Sequence, residues 1–182
     1  MLFPRDPRFD AIKPMLNGGK IRMFSDIFIY IKITAVSRVL GKRTTRFKEL
    51  ISNVEDFYIK ELFLLARRFG LTAEEILDLV AHQITTFAFS TDTVLFPTIP
   101  ALVRDGKIRV LADIIPYIEI SKLARLLGRS STRLKALMEN VEDLQVKKVL
   151  LLGGYCGLSM TEVFSLVAAQ AGKKNVHVHH KK

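Results

Sequence analysis

Apolar residues in this chain recur at helical spacing in short runs, most of them closed by a glycine. Ile120, Leu123, Ala124 and Leu127 form one such stripe, which stops at Gly128. After a polar turn of Arg129 and Ser130 the spacing resumes with Leu134, Leu137 and Met138. The pattern predicts two short amphipathic helices joined by a glycine-led turn. A glycine suits that corner because the residue closing the first helix enters the left-handed region, where a Cβ clashes. Ala124, four residues earlier, predicts a close approach of the two helices.

The same unit occurs twice. At a constant offset of 87 residues, Ile33-Thr-Ala-Val-Ser-Arg-Val-Leu-Gly41 falls on Ile120–Gly128, and Lys42–Asn53 falls on Arg129–Asn140. The register runs without a gap from Met15–Gln83 onto Leu102–Gln170, and roughly thirty of the aligned pairs are identical, far more than shared helix periodicity gives. Solenoid repeats span only about 20 to 50 residues, so a period this long is a duplicated domain. The expected organisation is a first domain over 1–83, a linker over 84–94, a second domain over 95–172 and a basic, disordered tail over 173–182.

Each copy reads as five short helices. A short helix around Phe9–Leu16 closes at Gly18-Gly19, with a counterpart over Ile99–Val103. Ser25-Asp26 is placed to cap a helix over Ile27–Ile31. That run alone resembles a strand, but its copy contains Pro116, which argues for a helix instead. Thr34 and Ser121 are expected N-caps of the next helix, and Asp56 and Asp143 of the fourth. Thr72 with Glu75, and Ser159 with Glu162, have the spacing of capping boxes. The fold class is therefore all-α, with two tandem domains.

Composition adds a partner. Lys plus Arg number 28 against 18 Asp plus Glu, a net charge of +10, which favours a polyanion such as nucleic acid or an acidic membrane. One cysteine, Cys156, forms no internal disulfide and suits a reducing interior. No apolar run is long enough to span a bilayer and the N-terminus has no signal-peptide core, so a cytoplasmic, nucleoid-associated protein without a membrane partner is expected.

Five short helices with the glycine turn between the second and third resemble the DNA-binding domain of lambda-repressor and Cro-type regulators. The resemblance rests on a small residue four before the glycine (Ser37, Ala124), the glycine itself (Gly41, Gly128), and apolar residues six and nine after it: Phe47 with Leu50, and Leu134 with Leu137. One position departs, since Lys42 and Arg129 stand where the family has an apolar residue; their charge is expected to turn to solvent. The resemblance implies a helix-turn-helix whose second helix enters the DNA major groove. Its outward residues are Arg43, Thr44, Thr45, Arg46 and Lys48 in the first copy. In the second they are Ser130, Ser131, Thr132, Arg133 and Lys135. Arginine can pair with guanine O6 and N7 together, and threonine with a thymine methyl or a phosphate. Lys20, Arg22, Lys42, Lys107, Arg109 and Arg129 are candidate phosphate contacts.

Other chemistry has little to stand on. The Glu55-Asp56 and Glu142-Asp143 pairs read as helix caps, and His177, His179 and His180 as part of a basic tail rather than a metal site. No phosphate loop, CxxC or HExxH pattern occurs. The sequence thus predicts a non-enzymatic, cofactor-free and metal-free regulator that binds double-stranded DNA with two unlike heads. It is compatible with a homodimer and shows no small-molecule effector. The alternative is a helical protein–protein interaction module that kept the fold and lost DNA binding.

Overall fold

A computed structural model describes residues 7–84 and 93–178, with side chains through residue 172. The expected linker residues 85–92, with Phe87 and Phe89, and the last residues of the tail lie outside these. The chain divides into two compact units, Met1–Thr85 and Thr86–Lys182. The described residues are all-helical, without β-strand.

The first unit contains α1 (Ile12–Asn17), α2 (Ile27–Tyr30), α3 (Ile33–Val39), α4 (Thr44–Ser52), α5 (Ile59–Phe69) and α6 (Ala73–Gln83). The second contains α7 (Ile99–Arg104), α8 (Ile120–Leu126), α9 (Ser131–Glu139), α10 (Val146–Tyr155) and α11 (Met160–Val178). The 87-residue register seen in sequence thus reappears in the helix positions, and it extends outward to α1 and α7. Two elements differ. Where the first unit has α2, the second has a 3-10 helix over Leu111–Tyr117, because Pro116 has no N–H to give to an α-helical ladder. The last helix does not stop at Gly172 but runs on to Val178, into the stretch expected to be a disordered tail.

The core of the first unit is aromatic. Phe24 meets Phe28 and Phe57 edge to face, and Phe47 meets Phe28 and Phe57, with centroids 5.4 to 6.0 Å apart. At the corresponding positions the second unit carries Leu111, Ile115, Leu134 and Leu144, so the same framework is filled with aliphatic side chains. Phe47 and Leu134 are both fully buried and seat α4 and α9. Burial of one such side chain contributes about 1.5–3 kcal/mol.

Several helix starts are built differently from the sequence expectation. Thr72 and Glu75 do form a capping box, with Glu75 N–H donating to Thr72 Oγ1 at 3.1 Å and Thr72 N–H donating to Glu75 Oε2 at 2.9 Å. Ser159 and Glu162 repeat it. Glu75 also pairs with Lys13, tying α1 to α6. Thr34 and Ser121, however, lie inside α3 and α8, whose N-caps are Lys32 and Glu119 without a side-chain bond. Asp26 and Asp113 act one turn earlier: Asp26 Oδ2 accepts from Arg22 and Met23 N–H, and Asp113 Oδ2 from Arg109 and Val110 N–H. Asp56 and Asp143 close short 3-10 turns, while α5 and α10 start from Tyr58 and Gln145. Among the described residues no single helix is long and apolar enough to cross a membrane.

Candidate nucleic-acid interface

The glycine turn is the same in both units. Gly41 sits at φ +62° and Gly128 at φ +63°. The N–H of Gly41 donates to Arg38 C=O at 3.1 Å and that of Lys42 to Ser37 C=O at 2.9 Å. Gly128 and Arg129 repeat the pair on Arg125 and Ala124 at 3.1 and 2.8 Å. This is a Schellman closure, in which two C-terminal carbonyls are satisfied by a residue in the left-handed region. The buried small residue beneath it works in two ways. Ala124 only saves space, being 2% exposed. Ser37, equally buried, donates its hydroxyl proton to Thr34 C=O and so receives the Thr44 hydroxyl, 3.4 Å away.

α4 and α9 then run out from the turn with one face buried and one in solvent. Phe47 and Leu50, and Leu134, Leu137 and Met138, form the buried faces. Arg43, Thr45, Arg46 and Lys48 are exposed, and Thr44 is half-buried by its bond to α3. In the second unit Ser130, Thr132, Arg133 and Lys135 are exposed and Ser131 is half-buried. Ser130 is the N-cap of α9, accepting from Arg133 N–H at 3.2 Å. Arg43 is the N-cap of α4 and supplies no side-chain acceptor.

The charges on the two faces are arranged differently. Arg46 donates to Glu49 at 2.8 Å, and that bond raises the guanidinium above its ordinary pKa. Lys42 does not project into solvent as expected: its Nζ lies 2.6 Å from Glu61 of α5, with the two side chains only 25% and 14% exposed. The same carboxylate also accepts from Tyr58 N–H at the start of α5. In the second unit Ala136 replaces Glu49 and Lys148 replaces Glu61. Arg129 and Arg133 are exposed there, and among the described residues neither side chain has a carboxylate partner.

The remaining candidates sit on other segments. Arg22 lines an open cleft of about 430 Å³ with Leu16, Ile21, Glu75, Asp78, Leu79 and His82. Two carboxylates beside it make a poor phosphate seat. Lys20 is exposed on the turn before it, and Lys107 and Arg109 are exposed on the matching turn, with Lys107 4.0 Å from Asp105. Among the described residues no cluster of metal-ligating side chains occurs.

One pair of residues escaped the sequence reading. Gln83, at the end of α6, donates to Ile51 C=O at 2.6 Å and accepts from Ser25 N–H at 2.7 Å. Gln170 donates to Met138 and Glu139 C=O at 2.8 and 3.1 Å and accepts from Ala112 N–H at 3.0 Å. Each glutamine fastens the C-terminal end of α4 or α9 to the 3-10 segment that follows α1 or α7, at Ser25 or Ala112. The available signal was an identical amide in both copies at the same register position, Gln83 and Gln170. Compared with protein-family models, curated proteins and solved structures, the chain matches nothing in any of the three.

Proposed function

We propose that this chain binds double-stranded DNA sequence-specifically and acts as a transcription regulator in the cytoplasm, at the nucleoid. It would carry two repressor-like helix-turn-helix heads, α3–α4 and α8–α9. The observation that carries the reading is a repeated one. In both units the helix after the glycine turn is anchored by buried Phe47 or Leu134 and clamped by a glutamine, and it presents Arg, Lys and Thr to solvent. Those side chains suit base edges and phosphates, and the net charge of +10 suits a polyanion. Binding alone accounts for the function, by occupying a site. The protein–protein alternative calls for apolar residues on the outer faces of α4 and α9. Among the described residues the large exposed apolar side chains are instead Met23, Ile29, Tyr58, Val94, Tyr117 and Leu126, all on other segments.

The test is binding to random-sequence duplex across a salt series. The intact chain should lose affinity as salt rises, with a log–log slope of about −0.9 per phosphate contact. The double variant Lys48→Ala, Lys135→Ala should bind at least tenfold more weakly, with a shallower slope. Weak binding at low salt, or a double variant equal to the parent, rejects the DNA reading.

A further inference from the structure

From the charge arrangement on the two outward helices we infer that the heads are unequal: the second unit is the main DNA anchor, and the first is a weaker head held down by its own carboxylates. This inference rests on the DNA-binding reading. In the first unit two of the four cations around the turn and α4 are already occupied. Arg46 is held by Glu49 and Lys42 by Glu61, leaving Arg43 and Lys48 to a phosphate. In the second unit both carboxylates are gone. Ala136 and Lys148 stand in their places, and Arg129, Arg133 and Lys135 face solvent with no carboxylate partner among the described residues. On α9 one acidic residue is gained, Glu139, at the far end of the helix; Asp105 and Glu119 are gained outside the turn and α9, and Ser130 stands where the first unit has Arg43.

The two ion pairs are not equivalent. Arg46–Glu49 is an exposed i,i+3 pair with side chains 52% and 59% exposed. Such a pair is easily exchanged for a phosphate and costs binding roughly twofold. Lys42–Glu61 is mostly shielded from water, and Glu61 is further held by Tyr58 N–H. A phosphate must displace a water-shielded, oriented carboxylate that salt screens little, so this pair removes the Lys42 contact more completely. Arg43 and Lys48 still leave the first head able to touch the backbone. It is weak rather than silent.

The test uses the full chain and random-sequence duplex in a potassium chloride series, with folding of each variant checked by thermal melt. Lys135→Ala should cost about tenfold in affinity and Lys48→Ala no more than about threefold. The double variant Glu49→Ala, Glu61→Gln removes both carboxylates from the first head, as they are absent from the second, and glutamine keeps an acceptor for Tyr58 N–H. It should bind about fivefold tighter, and its salt slope should steepen by up to about 1.8, two phosphate contacts. Equal losses for Lys48→Ala and Lys135→Ala, or an unchanged slope in the double variant, overturn the inequality of the heads while leaving DNA binding intact. If the unsubstituted chain binds no duplex at low salt, the DNA reading falls and this inference with it.

Discussion

At the scale of single residues, the side chains that position α4 and α9 are as informative as those that face outward. Gln83, half-buried, and Gln170, buried, each satisfy one backbone N–H and at least one backbone carbonyl of distant segments. Gln170→Leu keeps the volume and removes both roles, so a loss of about 1–3 kcal/mol in urea unfolding is expected, as for unsatisfied buried groups. Gln83→Leu should behave alike; stability unchanged in both would mean water serves these groups equally well. Cys156 carries a pH signature. Burial pushes its thiol pKa up to about 12 from an ordinary 9.0. The folded state therefore favours the neutral thiol, and stability should decline as pH rises above the ordinary thiol value toward the folded one. At pH 8 a thiol reagent should label the native chain far more slowly than the urea-unfolded chain, and equal rates would show the thiol to be open. Most of the outward basic and hydroxyl residues were legible from helical spacing and the helix-turn-helix resemblance, although Thr44 and Ser131 are half-buried. The glutamines were not, because an amide at a helix end reads as solvated until two distant segments are brought beside it.

At the scale of elements, helix existence was easier to read than helix starts. The glycine turns, the capping boxes at Thr72 and Ser159, and the apolar faces of α5 and α10 all follow from local spacing. The caps assigned to Thr34, Ser121 and the Val-Glu-Asp aspartates did not hold, since those helices begin where packing places them rather than at the nearest polar side chain; Asp26 does stand at the N-cap of α2, but its carboxylate bonds the turn before it. Lys42–Glu61 was equally hidden, because it joins the turn to α5 across a tertiary gap. The glycines of α10 show how magnitudes decide a case. Alanine at position 153 gains about 1 kcal/mol in helix propensity. Its Cβ, however, would lie 3.1 to 3.3 Å from three atoms of Val163, an overpacking that typically costs about 1–3 kcal/mol. Gly153→Ala should therefore lower the melting temperature, and relief by an additional Val163→Ala would identify the contact as the cause. A raised melting temperature in the single variant would show that α10 and α11 can part without loss.

At the scale of the molecule, duplication explains both the likeness and the divergence of the two units. Helix positions are kept in register, while the aromatic core of the first becomes aliphatic in the second and two carboxylates beside the outward helices disappear. Core exchange keeps the hydrophobic pattern, which cores tolerate; exchange of charge on an exposed face alters what that face can hold. Duplication and net charge were plain in the sequence, but which cations are already occupied required the fold. The central claim is that two unlike helices on one chain read duplex DNA. The most direct measurement is selection of bound duplexes from a random-sequence pool, followed by sequencing. The account predicts an enriched motif with two unlike half-sites, with Thr132→Ala and Lys135→Ala altering only one half and Thr45→Ala and Lys48→Ala only the other. A pool that emerges unenriched, or a motif indifferent to all four substitutions, would contradict it.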